Sequence, residues 1–129
     1  MMKYSKQREL IYQWVVEHPV HPTADTVYDA VRAQAPRLSL GTVYRNLNLL
    51  AETGSLIKIP VSGGSDRFDG RTDRHYHMVC TCCGQVFDVD LPELEQLNQV
   101  ILARTGFTVE DFQILFQGLC GGCSVEQAG

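Results

Sequence analysis

Apolar residues recur at helical spacing three times in the first fifty positions, and then the pattern changes. In residues 5–17, SKQRELIYQWVVE, Leu10, Ile11, Trp14 and Val15 line one face of a helix. Ser5 can cap it, with Arg8 at the third helical position and Glu9 beside it, and His18-Pro19 ends it. Thr23 can cap a second helix with Ala24, Val27, Tyr28 and Val31 on its buried side, stopped by Pro36. Ser39 can cap a third, and Gly54 can end it. At roughly 100° per residue, Leu40, Val43, Leu47 and Leu50 fall within an arc of roughly 80°. Arg45 lies opposite that stripe, Gly41, Thr42 and Asn48 share its face, and Tyr44 sits on the flank. Leu49 also falls outward, for which helix geometry supplies no reason.

The period then shortens to two. Leu56–Pro60, the turn Ser62-Gly63-Gly64 and Asp66–Phe68 predict a β-hairpin. Three short helices followed by a hairpin is the order of a winged-helix DNA-binding domain. Asp69–Arg74 is polar and connective, a candidate hinge. Beyond it, His75–Val79 and Gln85–Val89 are β-like and flank a Cys80–Cys83 turn. Pro92 can open a helix with Leu94, Leu97, Val100, Ile101 and Leu102 on a broad apolar side. Phe107–Cys120 reads as a strand or two, and Gly121-Gly122 as a turn. The expected class is α+β: an N-terminal winged helix-turn-helix domain at 1–68, a hinge at 69–74, and a small α/β dimerisation domain at 75–129. A sheet this small buries little alone, so an exposed apolar face should meet a second copy.

Composition narrows the chemistry. The chain has 129 residues and a net charge of −4, which alone argues against a nucleic-acid partner. The charge is uneven, however. Residues 1–80 carry ten Lys/Arg against eight Asp/Glu, while residues 81–129 carry one Arg, Arg104, against seven acids. A mildly basic first part joined to an acidic second part fits two tasks in one chain. The N-terminus MMKYSKQREL has no apolar core of a signal peptide, and no apolar run is long enough to span a membrane. Five cysteines without such a signal predict a reducing, cytoplasmic setting, with metal ligands rather than disulfides.

Four of those cysteines form two pairs, Cys80-x-x-Cys83 and Cys120-x-x-Cys123. Together they make a complete four-thiolate set for a structural zinc ion. Cys82 is the odd thiol and reads as a spectator. A redox dithiol lacks the βαβ context that such a motif needs. His75-Tyr76-His77 is a second, harder donor pattern: in an extended strand His75 and His77 share a side while Tyr76 and Met78 face away. On helix three, Arg45 can pair with guanine, Tyr44 can pack on a thymine methyl, and Ser39 and Thr42 suit phosphates.

The string as a whole resembles the ferric uptake regulator family of bacterial metal-dependent repressors over nearly its full length. The resemblance rests on Gln7-Arg8, His21-Pro22-Thr23-Ala24-Asp25, Thr42-Val43-Tyr44-Arg45-Asn46-Leu47, Arg67-Phe68-Asp69, His75-Tyr76-His77 and both cysteine pairs. It implies a regulatory metal site of His21, Asp69, His75, His77 and Asp88, three imidazoles and two carboxylates that suit iron(II) or manganese(II) with a position left open. Aspartate at both carboxylate positions is similar to the peroxide-stress branch of the family, where iron(II) turns peroxide on its own ligands. There the resemblance implies that His21 and His75 are the oxidation-sensitive residues. Tyr76 departs from the His-His-His segment common in the iron-uptake branch, which puts the family's additional metal site in doubt. Lys3 matches the basic residue that the family sends toward the minor groove. The implied protein is a zinc-stapled homodimeric repressor, not an enzyme, that reads a palindromic operator in double-stranded DNA without membrane contact. The rival readings are an iron-uptake regulator of the same family, a zinc hydrolase, which lacks a general base or oxyanion device, and a zinc-ribbon interaction module.

Overall fold

The computed structural model describes residues 5–128, with side chains described through Ser124; Lys3 lies outside the described residues. The chain forms two compact units that divide between Asp73 and Arg74.

The first unit contains α1 (Lys6–Glu17), α2 (Ala24–Val31), α3 (Leu40–Glu52), β1 (Ile57–Ile59) and β2 (Arg67–Asp69). Each helix starts where a hydroxyl replaces a missing backbone partner. Ser5 accepts from the Arg8 N–H, Thr23 from Thr26 and Ser39 from Thr42. Ile11 and Val15 of α1 meet Val27 and Val31 of α2 and Val43, Leu47 and Leu50 of α3 in one core, closed by Leu56 and Phe68. Leu47 is fully buried, a contribution of roughly 1.5–3 kcal/mol. Leu40 departs from the expected stripe and is 41% exposed, while Leu38 is buried in the core. Leu40 is the first residue of α3, and the loop before it, held by the Leu38 N–H on the Ala35 carbonyl, turns Leu38 inward. Leu49 is only half-buried.

β1 and β2 pair antiparallel, Ile57 opposite Asp69 and Ile59 opposite Arg67. β2 also engages the opening of α2: Thr23 bridges Arg67, and the Phe68 N–H donates to the Pro22 carbonyl. Asp69, the first residue of the expected hinge, instead closes β2 and is buried. Gly70 follows at close quarters to α1, where an added Cβ would stand 3.0 Å from the Val16 Cα.

The second unit is a three-stranded sheet in the order β4-β3-β5, from β3 (Tyr76–Cys80), β4 (Val86–Val89) and β5 (Leu115–Gly118). β3 runs antiparallel to β4 and parallel to β5. A parallel neighbour needs a long crossover, supplied by a 3₁₀ turn at Pro92–Gln96 and by α4 (Leu97–Thr105). No residue of α4 is buried; Val100 and Leu102 are 40% and 52% exposed. The strand expected across Phe107–Cys120 is confined to Leu115–Gly118. The Phe112 carbonyl accepts from Arg74 Nη2 at 3.1 Å rather than joining a ladder, and its ring lies under the same guanidinium. Gly121-Gly122 is not a turn but the start of α5 (Gly121–Ala128). Among the described residues no helix is long and apolar enough to cross a membrane.

Gly70→Ala should destabilise the first unit by about 1–3 kcal/mol, because the clash is with helix backbone that cannot swing aside. Denaturant unfolding of the variant checks this.

Candidate metal centres

The first centre forms where the end of β3 meets the start of α5. Cys80 is the last residue of β3 and pairs in register with Gly118. Gly84, at φ +76°, lets the chain reverse after Cys83, and its N–H returns to the Cys80 carbonyl at 2.8 Å. The Cys80 Sγ accepts from the N–H of Cys83 and that of Cys120, both at 3.4 Å. The Cys120 Sγ accepts from the Cys123 N–H at 3.5 Å. Sulfur there takes the place that a hydroxyl oxygen holds at the other helix starts, which is why two glycines can begin a helix.

The four Sγ atoms lie within 4.8 Å of one another, and Cys83 and Cys120 are 3.9 Å apart. A tetrahedron of sulfurs about 2.3 Å from zinc has edges of about 3.8 Å, whereas a disulfide needs about 2 Å. The set therefore fits a zinc ion, and all five cysteines are free thiols. The electrostatics point the same way. The backbone N–H of Cys83, joined by that of Cys120, lowers the Cys80 thiol to about 6. The neighbouring Cys120, then Cys80, push the Cys123 thiol far upward. A cation among the sulfurs would relieve the opposition to ionisation at Cys123. Cys82 is exposed and stands outside the four-sulfur group.

The remaining nitrogen and oxygen donors form two clusters, one in each unit. In the first unit the pairing of β2 with residues 22–23 brings the chain before α2 beside Asp69. His21 Nε2 lies 3.4 Å from Asp69 Oδ2, and both residues are buried. His21 has a φ of +51°, a left-handed conformation that costs a non-glycine residue about 1–3 kcal/mol. Arg67 Nη1 holds it there by donating to the His21 carbonyl at 3.1 Å. The Asp69 Oδ1 accepts from the Arg71 N–H at 2.9 Å, which orients the carboxylate.

In the second unit, His77 on β3 is the cross-strand partner of Asp88 on β4, so the two side chains share a face. His75, two residues earlier, shares it too. The Nε2 atoms of His75 and His77 stand 3.0 and 3.3 Å from the one Asp88 Oδ1. Both imidazoles are buried, and Asp88 is the partly open member. Tyr76 faces away as expected: its hydroxyl donates to Glu95 and its ring stacks on Phe112. Next to the ligand strand, Arg74 binds Glu95 Oε1 at 2.7 Å and Asp111 Oδ1 at 3.2 Å. The chain pattern carried no signal for this clamp. Its positive charge is reinforced first by Tyr76 and then, against the opposing effect of burial, by Asp111 and Glu95.

On α3, Tyr44 and Arg45 are exposed. Arg45 Nη2 donates to Thr42 Oγ1 at 3.0 Å, and that hydroxyl also meets Ser39 Oγ at 2.9 Å. Ser39 and Thr42 are thus partly engaged in capping, with Arg45 laid back over the first turn.

With this geometry in place, the ferric uptake regulator family model matches residues 1–117. The chain belongs to that family. The peroxide operon regulator of Bacillus subtilis (strain 168) is 34% identical over 126 residues, covering 98% of this chain and 87% of that protein. The peroxide-responsive repressor PerR of Staphylococcus saprophyticus is 33% identical over 122 residues, covering 95% and 82%. Among solved structures, the Campylobacter jejuni peroxide stress regulator superposes with a TM-score of 0.75 at 29% identity, covering 91% of this chain and 88% of that one. The Helicobacter pylori ferric uptake regulator Fur superposes at 0.85 but with 22% identity, covering 95% and 83%, a likeness of fold. Both curated relatives bear peroxide-response names, and the architecture here is a winged-helix unit followed by a smaller α/β unit.

Removing a zinc ligand should dismantle the second unit, because a four-thiolate site contributes folding free energy directly. Cys80→Ser or Cys123→Ser should yield metal-poor, unstable or monomeric protein, while Cys82→Ser keeps its zinc. Metal analysis with sedimentation checks both.

Proposed function

We propose that this protein is a cytoplasmic, homodimeric DNA-binding repressor that requires iron(II) or manganese(II) to bind its operator and is inactivated by peroxide when it carries iron. The observation that carries this reading is the convergence of the buried His75 and His77 on Asp88, in a chain whose relatives bear peroxide-response names. The domains divide the work: the winged-helix unit, whose β2 includes Asp69, binds DNA, the rest of the expected 69–74 segment connects, and 75–129 dimerise and hold zinc on Cys80, Cys83, Cys120 and Cys123. The regulatory ion would be held by His21, Asp69, His75, His77 and Asp88. That donor set of nitrogen and oxygen suits iron(II) or manganese(II).

The residues do three things in this account. The two aspartates neutralise the charge that three neutral imidazoles leave on the ion. The burial of His21, Asp69, His75 and His77 restricts water, while the partly open Asp88 side leaves a path for a small oxidant. Iron(II), when bound, supplies the redox chemistry that activates peroxide. An imidazole of His21 or His75 would gain one oxygen atom from peroxide, whose other oxygen would leave as water. The oxidised imidazole would be a poorer ligand, and losing it would release DNA.

On DNA, α3 enters the major groove of each half of a palindromic operator. Arg45 swings from Thr42 to a guanine edge, Tyr44 packs on a thymine methyl, Ser39 and Thr42 meet phosphates, and Lys3 reaches toward the minor groove.

Arg45→Ala should lower operator affinity by about 1–3 kcal/mol with normal metal content, read by binding titration. Asp88→Glu should keep metal-dependent DNA binding yet resist peroxide, because the longer side chain shifts the ion and crowds its open position. Peptide mass spectrometry after a peroxide pulse should find an added oxygen on His21 or His75 in the iron form and none in the manganese form. Unmodified histidines in the iron form would favour an iron-uptake regulator instead.

A further inference from the structure

The hairpin and α3 are joined by three side chains, two of which the account so far leaves without a role. The Tyr44 hydroxyl donates to Asp66 Oδ2 at 3.1 Å. The same Oδ2 lies 3.4 Å from Lys58 Nζ, and that ammonium stands 5.7 Å from the centre of the Tyr44 ring. Tyr44 belongs to α3, Lys58 to β1, and Asp66 immediately precedes β2. The Asp66 side chain is 24% exposed, so it is partly enclosed between its two partners.

A carboxylate beside a helix that meets phosphates is unexpected on electrostatic grounds. It weakens the attraction of every duplex, whatever its sequence. What it supplies in return is geometry. An exposed tyrosine that is free to rotate must be immobilised when it binds, whereas a charge-assisted bond to its hydroxyl holds the ring beforehand.

We propose that Asp66 is a positioning residue for DNA specificity: it presets the Tyr44 ring through the phenol O–H and restrains Lys58 until a phosphate competes for it. The inference rests on the reading of α3 as the DNA-contacting helix. When a duplex docks, Lys58 exchanges the Asp66 carboxylate for a backbone phosphate, and Asp66 stays on the Tyr44 hydroxyl. Charge and hydrogen bond then have separable effects. The charge acts on all sequences alike, and the hydrogen bond acts on the preference between sequences. Asparagine at position 66 keeps an acceptor oxygen without the charge, and alanine keeps neither.

The test uses full-length, manganese-loaded dimer and two probes: a duplex selected by the wild-type protein from a random pool, and a random-sequence duplex of equal length. Asp66→Asn should strengthen binding to both probes by a similar factor, leaving their affinity ratio within about twofold of wild type. Asp66→Ala should lower that ratio about fivefold, the worth of one ordinary hydrogen bond. Tyr44→Phe should lower it equally, and the Tyr44→Phe/Asp66→Ala double variant no further. Lys58→Ala should reduce the slope of log affinity against log salt by about 1. If Asp66→Ala and Tyr44→Phe keep the ratio while Arg45→Ala abolishes it, the positioning role is wrong and the α3 reading stands. An equal loss in Asp66→Asn and Asp66→Ala also overturns it, since charge alone would then be at work, and an unchanged salt slope removes Lys58 from the exchange. If Arg45→Ala too leaves the ratio unchanged, the α3 reading falls and this inference with it.

Discussion

Four cysteine sulfurs within 4.8 Å of one another cannot all carry negative charge without a cation among them. Two backbone N–H donors hold Cys80 low, and the crowding of Cys120 and Cys80 opposes ionisation of Cys123. A divalent ion held by the four sulfurs would relieve that opposition and would tie the end of β3 to the turn at Cys83 and to the first turn of α5. The second unit depends on this tie because its apolar interior is thin: Tyr76, Val79 and Val86 are buried, while α4 contributes no buried residue. The same strand that ends in Cys80 carries His77 opposite Asp88.

The first unit solves a different problem. Its core of Ile11, Val15, Val27, Val31, Val43 and Leu47 needs no metal. At its rim, β2 clasps residues 22–23 and so brings His21 to Asp69. The left-handed backbone at His21 is a strained conformation retained by the Arg67 contact to its carbonyl. Such strain is tolerable next to a well-packed core and gives the imidazole a fixed direction.

Much of this was legible from residue order. The three helices of the first unit, their hydroxyl caps and the hairpin followed from periodicity and from Ser5, Thr23 and Ser39. The cysteine spacing pointed to zinc, and the strand period placed His75 and His77 together. Other features were hidden for physical reasons. Leu40 matched the apolar arc, but a first-turn residue projects past the core when the preceding loop turns Leu38 inward. Phe107–Cys120 alternated like a strand, yet Arg74 captures the Phe112 carbonyl and ring. Gly121-Gly122 looked like a turn because nothing in the chain announces that a cysteine sulfur can start a helix. Asp88 came from family resemblance alone, and only the β3–β4 register explains why it faces His77. Lys58 and Asp66 meet Tyr44 through hairpin geometry that no periodicity encodes.

The central claim is that metal identity, through the histidine and aspartate donors, decides whether peroxide releases DNA. Fluorescence anisotropy of an operator duplex bound to iron-loaded and to manganese-loaded dimer, followed through one peroxide pulse, tests it most directly. The account predicts that the iron complex dissociates and does not recover on adding fresh metal, while the manganese complex persists. Equal persistence of both complexes, or equal loss from both, would contradict it.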